Sequence, residues 1–429
     1  MSTPTPIPAD SAAASAASHA KRADVKLIAL VGLVHGISHF SQLLLAPLFP
    51  WLKDAFGVGY AELGMVLTVF YAVSCAVQAA SGFVVDKVGP RPVLFFGLGL
   101  LGLAAFGYAA AQSYWMLLAT AVVAGIGNGV FHPVDYTLFN RKIAPTRLGH
   151  AYSVHGITGS LGWALAPAFV VPIAFAWSWR VALMAAGVVA LVAIAVLWLN
   201  RSVLTIDAAA VRKATGHGKN EPAVEGTFNF LRIPAVWMCF GFFFLYAMVI
   251  SIVQTFAPVA AGHLHAVPLA LIATCLTAYM VASAGGMVAG GFLATDPERC
   301  ERIVGIGFGA AAGVALLLAF ADFPAVLVPV LFGAMGFAAG IAGPSRDLLV
   351  KRSTPPNSTG RVYGVVYGGL DIGQALAPLI FGALMDHGRF RAVILGLALT
   401  QGLLIVSAFN VRRVRRTAPA PGGVAAPMG

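Results

Sequence analysis

Eight ionisable side chains stand inside long apolar stretches of this chain: His35, His39, His132, Asp135, His155, Arg346, Asp347 and Asp371. An ionisable group in hydrocarbon is costly, so each is a functional candidate by position alone. His35 and His39 are four residues apart, and His132 and Asp135 are three apart, so each pair shares one helix face. Imidazole titrates near neutral pH, which suits it to handling protons or contacting a solute. The same groups could equally be buried, hydrogen-bonded structural residues. Two histidines on one face also begin a zinc site, but a hydrolase would need a third ligand, a general base and an open coordination position. No H-E-x-x-H pattern occurs, and neither a metal nor a cofactor is expected.

Asp371 belongs to a second group. It follows Tyr363 and Tyr367 at spacings of four and precedes Gln374 by three, which makes one polar stripe on a helix. A structural carboxylate bonded to a neighbouring helix would give the same pattern. Gln42, Tyr246, Gln254 and Phe256 are further polar or aromatic positions that could line a cavity for a small organic solute.

The elements that must position these groups are membrane helices. The chain is 59% hydrophobic and only 10% charged, with a mean hydropathy of +0.86. Soluble domains carry about 25% charged residues. Twelve apolar runs are long enough to cross a bilayer: roughly 26–51, 60–84, 92–111, 115–139, 150–172, 179–200, 233–258, 267–294, 303–321, 324–348, 362–385 and 390–411. A net charge of +11 could point to nucleic acid. The basic residues instead cluster in the short breaks between runs, so the expected partner is the lipid bilayer and not nucleic acid. Cys75, Cys239, Cys275 and Cys300 show no metal or redox spacing and read as small hydrophobes.

The expected architecture is an all-α polytopic membrane protein. Residues 1–25 read as a disordered tail, 26–200 as a six-helix bundle, 201–232 as a polar central loop, 233–411 as a second six-helix bundle, and 412–429 as a basic, then disordered, tail. With both termini in the cytoplasm, 23 of the 27 Lys and Arg residues fall on the cytoplasmic side. That asymmetry sets the orientation in the inner (plasma) membrane.

The halves repeat. Shifting 129–167 by 211 positions superposes Gly129, Pro133, Arg141, Gly149, Tyr152 and Gly162 on Gly340, Pro344, Arg352, Gly360, Tyr363 and Gly373. Ala164-Leu-Ala-Pro167 then meets Ala375-Leu-Ala-Pro378. Parallel six-helix repeats belong to transporters whose substrate site lies near the midplane between halves. The same shift pairs Asp135 with Arg346, opposite charges at equivalent positions, which are expected to meet across the pseudo-twofold as a gate.

Between the second and third runs lies Gly82-Phe-Val-Val-Asp86-Lys87-Val-Gly89-Pro90-Arg91. Its spacing, G-x-x-x-D-[KR]-x-G-x-R, resembles the signature loop of the major facilitator superfamily. The resemblance covers nearly the whole chain through the spans, the long central loop and the repeat. It implies two pseudo-symmetric six-helix bundles, and it implies that Gly82, Asp86, Lys87, Gly89 and Arg91 form a conformational gate. Asp86 is expected to pair with Arg91 and to face Arg361. His35-Gly-Ile-Ser-His39 and Gly129-Val-Phe-His132-Pro133 are similar to the fosmidomycin-resistance-type subfamily, which tends to carry Asp where His39 stands. Gly156, Gly159, Gly162 and Pro167 resemble a degraded antiporter motif, which implies export. Together these readings point to a monomeric secondary transporter of a small molecule, coupled to protons. A non-transporting receptor or scaffold on the same fold, and an intramembrane enzyme, are the other classes. The basic asymmetry predicts that a reporter fused after Arg416 is active only when it requires the cytoplasm; activity restricted to the outside would reverse the orientation.

Overall fold

The computed structural model describes residues 9–206, 234–293, 299–353 and 359–417. The described residues form fifteen α-helices, and twelve helical stretches are long and apolar enough to cross a membrane. The helices are α1 Ala9–Gln42, α2 Phe49–Phe56, α3 Tyr60–Val88, α4 Pro90–Ala110, α5 Tyr114–Asn128, α6 Phe131–Lys142, α7 Leu148–Ala176 and α8 Trp179–Leu199. After the central connection come α9 Pro234–Thr255, α10 Ala257–Leu264, α11 Leu269–Leu293, α12 Cys300–Phe320, α13 Val328–Ser353, α14 Thr359–Asp386 and α15 Phe390–Thr417. Hydrocarbon offers backbone groups no water, so each crossing must close its own hydrogen bonds, and a helix does so.

Three runs that read as continuous are interrupted. The first is broken between α1 and α2 ahead of Pro47 and Pro50, the fourth between α5 and α6 ahead of Pro133, and the seventh between α9 and α10 ahead of Pro258. Proline lacks the N–H that would bond the carbonyl four residues back. For Pro133 that carbonyl is Gly129, and the Ser81 hydroxyl donates to it at 3.2 Å. Pro344, the repeat equivalent of Pro133, sits inside an unbroken α13, so the two halves diverge here. One expectation is corrected at the N-terminus. The tail expected to be disordered over 1–25 is helical from Ala9 onward, because alanine, which dominates 12–20, is the strongest helix former. The central loop beyond residue 206, the chain after 417 and residues 1–8 lie outside the described residues.

The chain divides into two compact units. The first takes the described residues up to Leu44 and those from Ala76 to the central connection; the second takes Leu45–Cys75 and the described residues after that connection. In the first unit α1 packs along α7, and α4 packs on α5 and α8. Its apolar centre includes Leu27, Val31, Val34, Leu94, Leu98, Phe131, Val134 and Phe139. Near one end, the Arg147 guanidinium donates to Asp24 with its Nε at 2.7 Å, tying the start of α7 to α1.

In the second unit α11 packs on α13, and α9 on α14. The Asp386 carboxylate ending α14 accepts from the Tyr60 and Ala61 amides at 2.6 and 2.8 Å, capping the positive end of α3. Large apolar side chains such as Phe83, Trp115, Trp177, Phe292 and Phe320 are exposed, as lipid-facing residues are.

Small residues carry the closest helix contacts. A Cβ on Gly340 of α13 would collide with the Ser283 carbonyl of α11, and one on Gly286 of α11 would collide with the Phe337 carbonyl of α13. Backbone lies against backbone there, the mode that small residues permit between membrane helices. Gly313 of α12 has open space beside it. Gly340→Leu is therefore expected to lose about 1–3 kcal/mol to overpacking, while Gly313→Leu changes little. Thermal unfolding of the two purified variants in one detergent measures the difference.

Candidate functional site

Five of the ionisable groups singled out by sequence converge in the first unit. α1 supplies His35 and His39, α6 supplies His132 and Asp135, and α7 supplies His155. Asp135 is completely buried, His35 is 2% exposed and His155 is 5% exposed. Nε2 of His155 donates to Asp135 Oδ2 at 3.0 Å, and Nδ1 of His35 approaches the same oxygen at 3.3 Å. The His35 and His155 rings stack with centroids 3.4 Å apart, and His39 lies 4.3 Å from His35. The ring of His132 is 5.3 Å from that of His35. Its Nδ1 donates to the Gln78 side-chain carbonyl of α3 at 3.0 Å.

Local sequence explains this convergence. The break before α6 sets the axis of that helix apart from α5, and α6 carries His132 and Asp135 on one face. On α7, a Cβ at Gly159 would come within 3.0 Å of His35 Nε2, and one at Gly162 would strike the Gly36 carbonyl. The glycines that resemble an antiporter motif thus let α1 lie directly against α7. A neighbouring polar bridge fixes the same helices. Trp163 Nε1 donates to Gln42 Oε1 at 3.1 Å, and Gln42 Nε2 donates to Asn128 Oδ1 at 3.0 Å. The Trp163 ring packs on His39 at 4.3 Å.

Sequence reasoning did not single out Gln78, Asn128 or Trp163. Gln78 and Asn128 were detectable as amides inside apolar runs, and Trp163 only through its contacts.

Asp371 and Gln374 lie on α14 in the second unit. The Cys75 thiol of α3 donates a hydrogen bond to the Asp371 carboxylate, and Tyr71 lies nearby. Gln374 is buried, its Oε1 lacks a hydrogen-bond partner among the described residues, and the Ser251 hydroxyl donates to its backbone carbonyl at 3.5 Å. The side chains of Asp86, Arg346, Asp347, Arg361, Tyr363 and Tyr367 lie outside the described residues, so the expected partners of Asp86 and Arg346 do too.

Asp135 has local partners in His155 and His35. Tyr152 donates instead to Asn140 at 2.7 Å. Of the hairpin, Gly89 adopts φ 86°, a conformation that favours glycine, between α3 and α4. Lys87 is exposed, and the Arg91 guanidinium donates to Thr205 Oγ1 at 3.0 Å. Among the described residues nothing lies within 4 Å of a Cβ placed on Gly82.

The profile of the Major Facilitator Superfamily matches residues 31–366 and 299–427. This chain belongs to that superfamily. It is similar to the hexuronate transporter of Bacillus subtilis (strain 168), 22% identical over 91% of this chain and 94% of that one. It is also similar to the fosmidomycin resistance protein of Escherichia coli (strain K12), 28% identical over 36% of this chain and 38% of that one. A probable sulfoacetate transporter of Cupriavidus necator is 27% identical over 38% of each chain. The chain spans 34% to 38% of the length of the first curated relatives it matches. Among solved structures, a bacterial homologue of the human lysosomal transporter Spinster, inward-facing and occupied, aligns with a TM-score of 0.72 over 93% of this chain and 99% of that one, at 14% identity. That likeness shows the fold. The superfamily is one of membrane transporters, and this chain is a multi-pass membrane protein of that superfamily.

The Gln42 bridge generates a prediction. In Gln42→Leu the Trp163 indole N–H and the Asn128 amide each lose a partner beside the histidines. An unsatisfied buried donor costs about 1–3 kcal/mol. The thermal midpoint of this superfamily member is expected to fall by several degrees, measured by thermal unfolding of the purified protein.

Proposed function

We propose that the protein is a proton-coupled secondary active transporter that moves a small organic solute by alternating access and works in the direction of export. The observation that carries the coupling is Asp371. This carboxylate stands within a stretch long and apolar enough to cross the membrane, and the Cys75 thiol is one of its partners. A carboxylate in hydrocarbon belongs to proton relays more often than to packing. The buried, incompletely bonded amides Gln254 and Gln374 of the same unit would give a polar solute its partners. The second unit would then hold both the proton and the solute.

Export is supported by the glycine series of α7, Gly156, Gly159 and Gly162. No Walker motif occurs in the sequence, so the driving force is assigned to an ion gradient and not to ATP. Both termini are placed in the cytoplasm of the plasma membrane, on the basic asymmetry. The chain is taken as a monomer. The hairpin residues Asp86 and Arg91 remain part of this proposal as elements that open and close, while the buried Asp135 carboxylate stays with His155 and His35.

Purified protein in liposomes, with and without an imposed pH gradient, tests the reading after a thermal-shift screen has found a ligand. Ligand binding without flux would identify a receptor instead. Asp371→Asn is expected to abolish accumulation driven by the pH gradient and to spare exchange of solute for solute. Normal gradient-driven accumulation in that variant would remove Asp371 from the coupling role.

A further inference from the structure

We infer that the first unit binds a divalent transition-metal ion of the zinc, nickel, cobalt or copper class through Asp135, His155 and His35, with His39 and His132 completing a second triad around His35. The proposal stands apart from proton coupling and from solute flux.

Geometry comes first. The ligand atoms of His35, Asp135 and His155 all lie within 4.8 Å of one another, as do those of His35, His39 and His132. A tetrahedral ion with bonds of about 2.0–2.1 Å holds its ligand atoms roughly 3.3 Å apart. Asp135 Oδ2 is 3.0 Å from His155 Nε2 and 3.3 Å from His35 Nδ1, so two edges of that tetrahedron are already formed.

Unfilled bonding capacity comes second. His35 Nδ1, both ring nitrogens of His39, and Asp135 Oδ1 are buried without hydrogen-bond partners among the described residues. Buried polar atoms are ordinarily bonded, and in a membrane interior the cost of leaving them bare is several kcal/mol per group, to order of magnitude. Coordination satisfies ring nitrogens that are left without a hydrogen bond among the described residues.

The donor set selects the ion. Calcium and magnesium take oxygen ligands, and one carboxylate is too few for them. Imidazole nitrogens with a single carboxylate suit zinc, nickel, cobalt and copper. The carboxylate also offsets part of the ion's charge in a buried site beside the Phe139 ring, which lies 5.8 Å from that of His155. The outer contacts fit too. Gln78 holds Nδ1 of His132 and so leaves Nε2 as the nitrogen that binds, in the way a metal-binding histidine is usually oriented. Sequence spacing had offered two pairs, His35 with His39 and His132 with Asp135. The fold brings α1, α6 and α7 alongside one another, and α7 adds His155.

The experiment uses the full chain with its affinity tag removed, in nanodiscs, after chelator treatment. Co²⁺ and Zn²⁺ are added separately. Equilibrium dialysis with elemental analysis gives the stoichiometry, and visible absorption of bound Co²⁺ reports its coordination geometry. The expected result is about one tightly held ion per chain, visible bands of tetrahedral cobalt, and a raised thermal midpoint with Zn²⁺, since a ligand of the folded state stabilises it. His155→Ala and His35→Ala are expected to weaken binding by more than the roughly 10–100-fold that loss of a supporting contact costs. His263→Ala and His387→Ala, outside the cluster, are expected to bind normally. A chain that binds no cobalt above the level of His155→Ala, or that loses binding equally with His263→Ala, would overturn the site and leave a hydrogen-bonded histidine cluster. Should a single variant fail to fold, the zinc-dependent rise in the wild-type midpoint decides alone: its absence rejects the proposal.

Discussion

Every polar group that enters hydrocarbon must find its partner inside the protein. That constraint organises this molecule. It makes each crossing helical, and it dictates what happens where a helix is interrupted. Pro133 removes the donor for the Gly129 carbonyl, and Ser81 replaces it. Pro378 does the same to Gln374, and the Ser251 hydroxyl turns toward that oxygen. Arg180 spends its guanidinium on the carbonyls of Ala109 and Ala111 at the end of α4, at 2.7 and 2.8 Å. Lys142 caps the carbonyls of Val203 and Thr205. Asp135 meets the constraint only in part: it has no exposed surface, gathers two histidines about one oxygen, and leaves the other without a hydrogen bond among the described residues.

Much of this was legible in the sequence, and the reason is period and composition. Runs of apolar residues gave the crossings, because length against bilayer thickness leaves little choice. Rare residue types gave the cluster: a histidine in a membrane helix stands out whatever it does. The grouping was harder. Spacing placed His35 with His39 and His132 with Asp135, but no local rule brings α1, α6 and α7 to one point. Their meeting depends on a helix break and on glycines at 159 and 162, where backbone approaches without side chains between. Those glycines resembled an antiporter pattern, and their visible work is packing.

The internal repeat was informative in one way and misleading in another. It made the two halves equivalent at Pro133 and Pro344, yet one proline follows a break and the other sits within a continuous helix. The difference lies in what surrounds each freed carbonyl, which a single sequence does not display. Similarly, Asp371 was visible as a carboxylate on a polar stripe, while its thiol partner is distant in the chain and looked like an inert hydrophobe.

The contact between Trp163 and His39 has a practical consequence. The indole ring rests 4.3 Å from the imidazole, and its N–H is engaged by Gln42. An indole is the protein's own fluorophore, and a cation close to its face withdraws electron density and shifts its emission. Six other tryptophans emit as well, so the difference in emission between the protein and its Trp163→Phe variant is a native optical gauge of the cluster's charge that needs no attached label.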